Sequence, residues 1–207
     1  MALMPTVFIV EDDPDVREWL RTVLELAGFI AEPFGSAEEF LRTFTPPCLG
    51  CVVADVRAPQ MGGIELQARL AQMGQPIPLI LVANYADVST AVRAMKAGAA
   101  SVVEKPINKH ILIESVREAI DKETEQRAHA GQSAEIQARI ALLTPRERQI
   151  LELIIAGQAN KEIATNLSLS SKTIETHRAH LMKKLKANSI AELVRMAIAS
   201  GATRVLQ

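Results

Sequence analysis

The chain has 207 residues, of which 48% are hydrophobic and 23% are charged, as in a globular protein of one large or two small domains. No segment approaches the roughly 18 consecutive apolar residues of a membrane span, and residues 1–5 lack the basic segment and apolar core of a signal peptide. Two cysteines and no targeting segment suit the reducing cytoplasm, where we expect the protein to reside.

The charges divide the chain into two parts. Residues 1–143 carry 13 Lys and Arg against 19 Asp and Glu, a net charge of −6. Residues 144–207 carry 10 against 5, a net charge of +5. Because a basic region attracts polyanions, this asymmetry predicts two domains, of which the second meets a polyanion such as nucleic acid.

The first predicted domain, residues 1–121, alternates short apolar runs with amphipathic segments. Most runs lack apolar–polar alternation, as expected of strands that are covered on both faces. The pattern predicts strands at 6–10, 29–34, 51–55, 78–82 and 100–104, and helices near 14–27, 36–44, 64–72 and 87–97, with another from 108. Five such repeats predict an α/β fold with a five-stranded, parallel, doubly wound (flavodoxin-like) sheet, whose site lies beyond the carboxyl ends of the strands.

The remaining chain contains no strand pattern. Residues 122–143 are rich in Ala, Gln and charges and predict a helical linker that is interrupted near Gly131. A coiled-coil dimer segment is an alternative, although fewer than two clean heptads are visible. Residues 144–207 predict a small all-α domain of four helices, with a helix-start pattern at 144–147 and further helices near 160–167, 171–185 and 189–200.

Charged residues follow three of the predicted strands. Glu11 and Asp12 follow the first strand, Asp55 ends the third, and Lys105 follows the fifth. The carboxyl ends of parallel strands share one edge of a sheet, so we expect these side chains to converge. Carboxylate oxygens suit Mg²⁺, and a metal with a lysine around one further carboxylate is equipment for phosphoryl transfer to that carboxylate. The alternative is that each strand end is polar only because water reaches it.

This constellation resembles the receiver domain of two-component response regulators, over roughly residues 4–121. The resemblance implies that Asp55 accepts a phosphoryl group from a sensor histidine kinase and that Lys105 contacts that group. It also implies a Mg²⁺ site made of Glu11, Asp12, Asp55 and the backbone carbonyl of Arg57. Further matches to the family's pattern are Pro59, Gly63 and Pro106, the last following a peptide bond that is usually cis in the family.

Two positions depart from the receiver pattern. Ala83 stands where receivers carry Thr or Ser, and Val102 stands where they carry an aromatic switch residue. One lost charge-assisted hydrogen bond is worth roughly 1.5–3 kcal/mol, or about 10- to 150-fold in rate, which slows phosphorylation without preventing it. We hypothesise that Asp55 is still phosphorylated and that the signal takes another route, through Asn84 or Tyr85. An unreactive Asp55 would instead indicate a pseudo-receiver.

The basic part contains a helix-turn-helix pattern. Ile174, Leu181 and Leu185 share one face of its second helix, so the basic and hydroxyl side chains point outward, where they fit a major groove. A cap at Ser170 would leave backbone N–H groups that suit a phosphate. A solvated charged face is the alternative. However, residues 142–200 resemble the LuxR-type DNA-binding domain, which implies base contacts by Lys172, Thr173 and Glu175 and phosphate contacts by Lys161, His177, Arg178 and Lys184.

Together the two resemblances imply a response regulator of the FixJ/NarL type, which binds double-stranded DNA as a homodimer and regulates transcription after phosphorylation. One alternative keeps DNA binding but removes control by phosphate, because of Ala83 and Val102. A second alternative is a phosphate sink or kinase-interaction module without promoter-specific output. We do not expect an enzyme that acts on small molecules, and the pairs Cys48 with Cys51 and His177 with His180 are too incomplete to predict a metal or redox site.

Overall fold

The amino-terminal part of the chain is built on a five-stranded parallel sheet. The computed structural model describes residues 5–46, 48–74, 77–84 and 88–199. The strands are β1 (Thr6–Val10), β2 (Ile30–Phe34), β3 (Gly50–Asp55), β4 (Leu79–Asn84) and β5 (Ser101–Lys105), in the order β2-β1-β3-β4-β5. All neighbouring strands run parallel, which confirms the predicted doubly wound fold.

Helices cover both faces of this sheet. They are α1 (Pro14–Leu26), α2 (Ala37–Thr43), α3 (Gly63–Gln72), α4 (Val88–Lys96) and the first turns of α5 (Lys109–Ala141). Val7 and Ile9 of β1 pack with α1 and α5, whereas Phe8 and Val10 pack on the opposite face with α2, α3 and α4. Because both faces of the inner strands β1, β3 and β4 are buried, consecutive residues of these strands are mostly apolar, and this pattern predicts the fold.

The carboxyl-terminal part of the chain is a small bundle formed by α6 (Pro145–Ile155), α7 (Asn160–Asn166), α8 (Ser171–Leu185) and α9 (Ile190–Ala199). Its core includes the three residues that were predicted to share the buried face of α8, namely Ile174, Leu181 and Leu185. The helix starts were also predicted correctly. Thr144 and Glu147 form a capping box at the start of α6, and the hydroxyl of Ser170 caps α8.

The segment between these parts differs from its prediction in one respect. It is helical as expected, but α5 continues for 33 residues through Gly131, so the predicted interruption there is wrong. One glycine costs a helix only about 1 kcal/mol relative to alanine, and the neighbouring Ala, Gln and Glu residues are good helix formers. The chain divides into two compact units at residues 126 and 127, inside the predicted linker of residues 122–143.

The last turns of α5 belong structurally to the second unit. The Arg139 guanidinium donates to the backbone carbonyl of Leu185, the last residue of α8, at 3.1 Å. Ile140 and Leu143 pack against the core of the bundle. Within the part of the chain that the structure describes, no helix is both long enough and apolar enough to cross a membrane.

Candidate functional site

Charged residues at the carboxyl ends of β1, β3 and β5 meet at one edge of the sheet. The Lys105 ammonium lies 2.5 Å from Oδ2 of Asp55 and 3.5 Å from Oε2 of Glu11. These contacts join residues that are 50 and 94 positions apart in sequence. The predicted convergence of Glu11, Asp55 and Lys105 is therefore confirmed, and the Lys105–Pro106 peptide bond is cis, as the family pattern implies. We call this cluster the acidic pocket.

The backbone after β3 fixes the orientation of the Asp55 carboxylate. Its Oδ1 accepts a hydrogen bond of 2.7 Å from the backbone N–H of Arg57, so that Oδ2 faces Lys105. The start of α3 is pressed against this loop. A Cβ atom on Gly63 would lie 2.2 Å from Cδ2 of Leu81 and 3.0 Å from the backbone oxygen of Asp55, which only glycine avoids.

Burial and like charges act together on the acidic pocket. Burial raises the pKa of Glu11 above its ordinary value; the charge of Lys105 opposes this rise, whereas Asp55 and Asp12 add to it. Burial of the Lys105 ammonium lowers its pKa, but its hydrogen bonds and charge interactions with Asp55 and Glu11 outweigh that effect and raise it. The Lys105 ammonium thus contacts two carboxylates, and with the charge of Asp12 acting on Glu11 as well, the carboxylates of the pocket outnumber this ammonium.

This donor set fits a hard divalent cation, which prefers oxygen ligands and is attracted by excess negative charge. Among the described residues, no group of three or more His, Cys, Asp or Glu side chains already has metal-binding geometry. Asp12 is exposed, and its negative charge acts on the carboxylate of Glu11. Glu11 and Asp55 share Lys105 as their common cation.

A second candidate site lies on α8 in the carboxyl-terminal unit. The Ser170 hydroxyl accepts a 3.0 Å hydrogen bond from the Thr173 backbone and caps the helix. Lys172 and Glu175 are exposed on the first turns, opposite the fully buried Ile174. The structure therefore presents the residues that were expected to touch base edges at the solvated start of this helix, as a major-groove reader requires.

Two family models match the two parts of the chain. The family model described as "Response regulator receiver domain" matches residues 7–117, and the model described as "Bacterial regulatory proteins, luxR family" matches residues 141–197. The chain belongs to the two-component response regulators. It is a transcriptional response regulator of the FixJ/NarL type, with a receiver domain followed by a LuxR-type helix-turn-helix domain.

Relatives of this response regulator match it over most of its length. The transcriptional regulatory protein FixJ of Rhizobium meliloti (strain 1021) is 42% identical over 196 residues, which cover 95% of this chain and 96% of that protein. The response regulator protein TmoT of Ectopseudomonas mendocina is 36% identical over 190 residues, covering 92% and 86%.

Solved structures of response regulators resemble the chain as well. The structure of the response regulator StyR matches with a TM-score of 0.82 at 39% identity and covers 94% of this chain and 98% of that one. Full-length FixJ from B. japonicum matches with a TM-score of 0.61 at 38% identity, covering 97% and 99%.

The two positions that depart from the receiver pattern border one groove. Ala83 and Val102 line a groove of about 370 Å³ between α4 and β5, together with Met95 and other residues of α4. Neither side chain can donate a hydrogen bond, and neither fills the groove as an aromatic ring would. Asn84 is exposed at the end of β4, whereas Tyr85, the other residue of the hypothesised route, lies outside the described residues.

Two predicted DNA-contacting residues have partners that the sequence did not reveal. The Lys184 ammonium lies 2.7 Å from Oε2 of the buried Glu147, and the Arg178 guanidinium donates to Oδ1 of Asn160. Both contacts tie α8 to an earlier helix of the bundle. Sequence spacing marks Glu147 only as a capping residue, and nothing local indicates a partner 37 positions later. The phosphate contacts by Lys184 and Arg178 therefore stay predictions. In the structure both side chains instead join helices within the bundle.

Proposed function

We propose that Asp55 is the phosphoacceptor for a sensor histidine kinase, and that its phosphorylation controls binding of a homodimer to double-stranded DNA. One observation carries this proposal: a single lysine joins the carboxylates of Asp55 and Glu11 at the carboxyl edge of the sheet. A merely solvated strand end needs no such shared cation. We propose a cytoplasmic location for the protein and no catalysis on small-molecule substrates.

The geometry suits attack by Asp55 on a phosphoryl donor. An oxygen of its carboxylate forms the new O–P bond while the bond from phosphorus to the donor nitrogen breaks, and the electron pair of that bond leaves with the nitrogen. The Arg57 N–H holds Oδ1 and thereby fixes the direction of Oδ2. Lys105 is placed to balance the charge of the transferred oxygens, since its ammonium already contacts Oδ2.

We propose that the pocket binds Mg²⁺, which receiver domains generally use. Glu11, Asp12, Asp55 and the backbone carbonyl of Arg57 would hold the ion, which supplies charge neutralisation for the phosphoryl oxygens. Burial, with the like charges of Asp55 and Asp12 adding to it, raises the pKa of Glu11, and a bound divalent cation would favour the ionised carboxylate. The remaining task of the protein is to hold the carboxylates in place before the donor arrives.

In the DNA-binding domain, we assign base contacts to Lys172, Thr173 and Glu175 at the exposed start of α8. Phosphate contacts are assigned to the capped helix start at Ser170 and to the basic side chains of Lys161, His177, Arg178 and Lys184. A homodimer would place two copies of α8 on adjacent half-sites. We propose that phosphorylation of Asp55 alters the face formed by α4, β5 and the start of α5, and that two receivers pair through this face.

A second candidate function keeps DNA binding but removes its control by phosphate. The groove beside Ala83 and Val102 favours it. Ala83 has no hydroxyl that could move towards a phosphoryl group, and Val102 has no aromatic ring that could fill the space left by such a movement. The substitution Ala83→Thr would supply the missing donor. If it raises the phosphorylation rate but leaves DNA affinity unchanged in both states, the second candidate is favoured.

Intact mass after incubation with a small-molecule phosphodonor tests the phosphoacceptor. We expect wild type to gain one phosphoryl group in a Mg²⁺-dependent manner and Asp55→Asn to gain none. Lys105→Met should gain it more slowly, because the transferred oxygens lose their counter-charge. A wild-type chain that stays unmodified with Mg²⁺ and donor in excess would contradict the proposal and indicate a pseudo-receiver.

A further inference from the structure

One arginine holds the backbone of the loop that carries the acidic pair. The Arg17 side chain lies one turn into α1 and folds back, so that its Nη1 atom donates to the carbonyl oxygens of Glu11 at 2.6 Å and Asp12 at 3.1 Å. These two carbonyls belong to consecutive residues whose side chains are the proposed metal ligands. The two oxygens belong to successive peptide groups on either side of the Asp12 Cα. Fixing both planes sets the direction of the Asp12 side chain, and the first plane also adjoins the Cα of Glu11 and helps to set the direction of its side chain.

The same loop is held from its other side by a helix cap. The Asp13 carboxylate accepts from the backbone N–H groups of Asp15 at 2.9 Å and Val16 at 3.3 Å, and the Asp13 N–H donates to Oε1 of Glu11 at 3.3 Å. The cap anchors the loop to α1 but makes no hydrogen bond to the carbonyls of Glu11 and Asp12. Arg17 makes these two hydrogen bonds, since its rigid guanidinium reaches both acceptors at once.

The loop between β2 and α2 packs beside the same guanidinium. A Cβ atom on Gly35 would lie 3.9 Å from Nη1 of Arg17 and 3.5 Å from Oε2 of Glu39, so the two charged groups flank one glycine. The Gly35 N–H donates to Oε2 of Glu39 at 2.8 Å. Arg17 is thus hydrogen-bonded to the β1–α1 loop and lies beside the β2–α2 loop.

Arg17 acts on the pocket through the backbone of the loop. The contacts of Arg17 with Glu11 and Asp12 are to backbone oxygens. A residue that holds the backbone of metal ligands determines how well their side chains are oriented before the ion binds. Residues that contact metal ligands generally affect metal affinity in this way.

We infer that Arg17 is a positioning residue for the divalent-cation site of the receiver: it sets the two acidic side chains for the ion, and through the ion it sets the rate of phosphorylation at Asp55. The inference rests on the proposed function of the acidic pocket. It predicts that loss of Arg17 weakens Mg²⁺ binding, whereas phosphorylation at saturating Mg²⁺ stays close to that of wild type.

The test is a Mg²⁺ titration of the full chain followed in two ways. Trp19, the only tryptophan in the sequence, lies in α1, so the thermal midpoint of its fluorescence reports the receiver alone and rises as Mg²⁺ binds. The second measure is the phosphorylation rate against Mg²⁺ concentration. The matched control is Arg21→Ala, which removes an arginine one turn later on α1 that pairs with Glu18.

We expect Arg17→Ala to raise the half-saturating Mg²⁺ concentration about 10-fold by both measures, with Arg21→Ala unchanged. Arg17→Lys should resemble the alanine variant, because the lysine side chain is shorter and holds its ammonium less rigidly than arginine holds its planar guanidinium. Wild-type Mg²⁺ dependence in either Arg17 variant would overturn the inference, as would an equal shift in Arg21→Ala. A wild-type chain that responds to Mg²⁺ by neither measure would instead overturn the proposed function of the pocket, and this inference with it.

Discussion

The buried carboxylate of Glu147 provides the sharpest test of how the DNA-binding domain is held together. Its Oε2 atom accepts from the Thr144 backbone at 2.8 Å, from the Thr144 hydroxyl at 2.9 Å and from the Lys184 ammonium at 2.7 Å. Only 4% of the residue is exposed. The substitution Glu147→Gln keeps an acceptor for Thr144 but removes the charge that faces Lys184. It therefore isolates the tie between α6 and α8.

The magnitude follows from the pKa of Glu147. The hydrogen bond from Lys184 is the largest cause that lowers it from 4.5 to about 2, with Thr144 assisting and burial opposing. A shift of this size corresponds to at most about 3 kcal/mol at pH 7. The Lys184 side chain is 39% exposed, so water screens part of the interaction. We expect Glu147→Gln to destabilise the domain by about 1–2 kcal/mol at neutral pH.

The pH dependence has a definite sign. Because the folded pKa of Glu147 is depressed, its contribution to the free energy of unfolding is fully present above pH 4.5 and is lost as the pH falls towards 2. The stability difference between wild type and Glu147→Gln should therefore shrink over this window. Near pH 3 on the order of half of it should remain.

The assay is urea unfolding of the full chain followed by circular dichroism. Trp19 fluorescence follows the receiver in the same samples and should not change. Lys184→Met should destabilise the domain at least as much as Glu147→Gln, because it leaves a buried charge unpaired, and the exposed neighbour Lys183→Met is the matched control. A stability difference that is equal at pH 7 and pH 3 would refute this reasoning. So would a loss of DNA affinity in Lys184→Met without any loss of stability, which would make Lys184 chiefly a phosphate contact.

Three further substitutions test other parts of the account. Gly63→Ala should destabilise the receiver by about 1–3 kcal/mol, because its Cβ would meet Leu81 at 2.2 Å; thermal unfolding read by Trp19 checks this, and a stability equal to wild type would contradict it. Ser170→Ala should cost about 0.5–2 kcal/mol of stability through loss of the α8 cap, measured against Ser171→Ala. Lys172→Ala should weaken binding to specific DNA by about 1–3 kcal/mol and binding to unrelated DNA less; an equal loss on both duplexes would make it a phosphate contact.

Much of the receiver could be predicted because its decisive contacts follow from topology. In a parallel sheet the ends of β1, β3 and β5 must share one edge, so the positions of Asp55 and Lys105 in the sequence were enough to bring them together. The capping residues Thr144 and Ser170 were also predictable, since a cap acts on a backbone only a few residues away.

Long-range contacts between side chains could not be predicted in the same way. The pairing of Lys184 with Glu147 depends on how two helices pack, and local periodicity says nothing about it. Arg17 looked like an ordinary charged residue of α1, because its acceptors are backbone oxygens that have no signature in sequence. The supposed break at Gly131 was an error of the opposite kind, in which one local signal was given more weight than the helix formers around it.

Control of DNA binding by Asp55 is tested most directly by the affinity of the full chain for a duplex selected from a random pool, measured with and without phosphodonor. Parallel mass spectra should establish how much protein is phosphorylated. Wild type is predicted to bind about 5- to 150-fold more tightly once phosphorylated, whereas Asp55→Asn should show one affinity throughout. The central claim would be contradicted if phosphorylated wild type bound no more tightly than the unmodified chain, or if Asp55→Asn gained as much affinity.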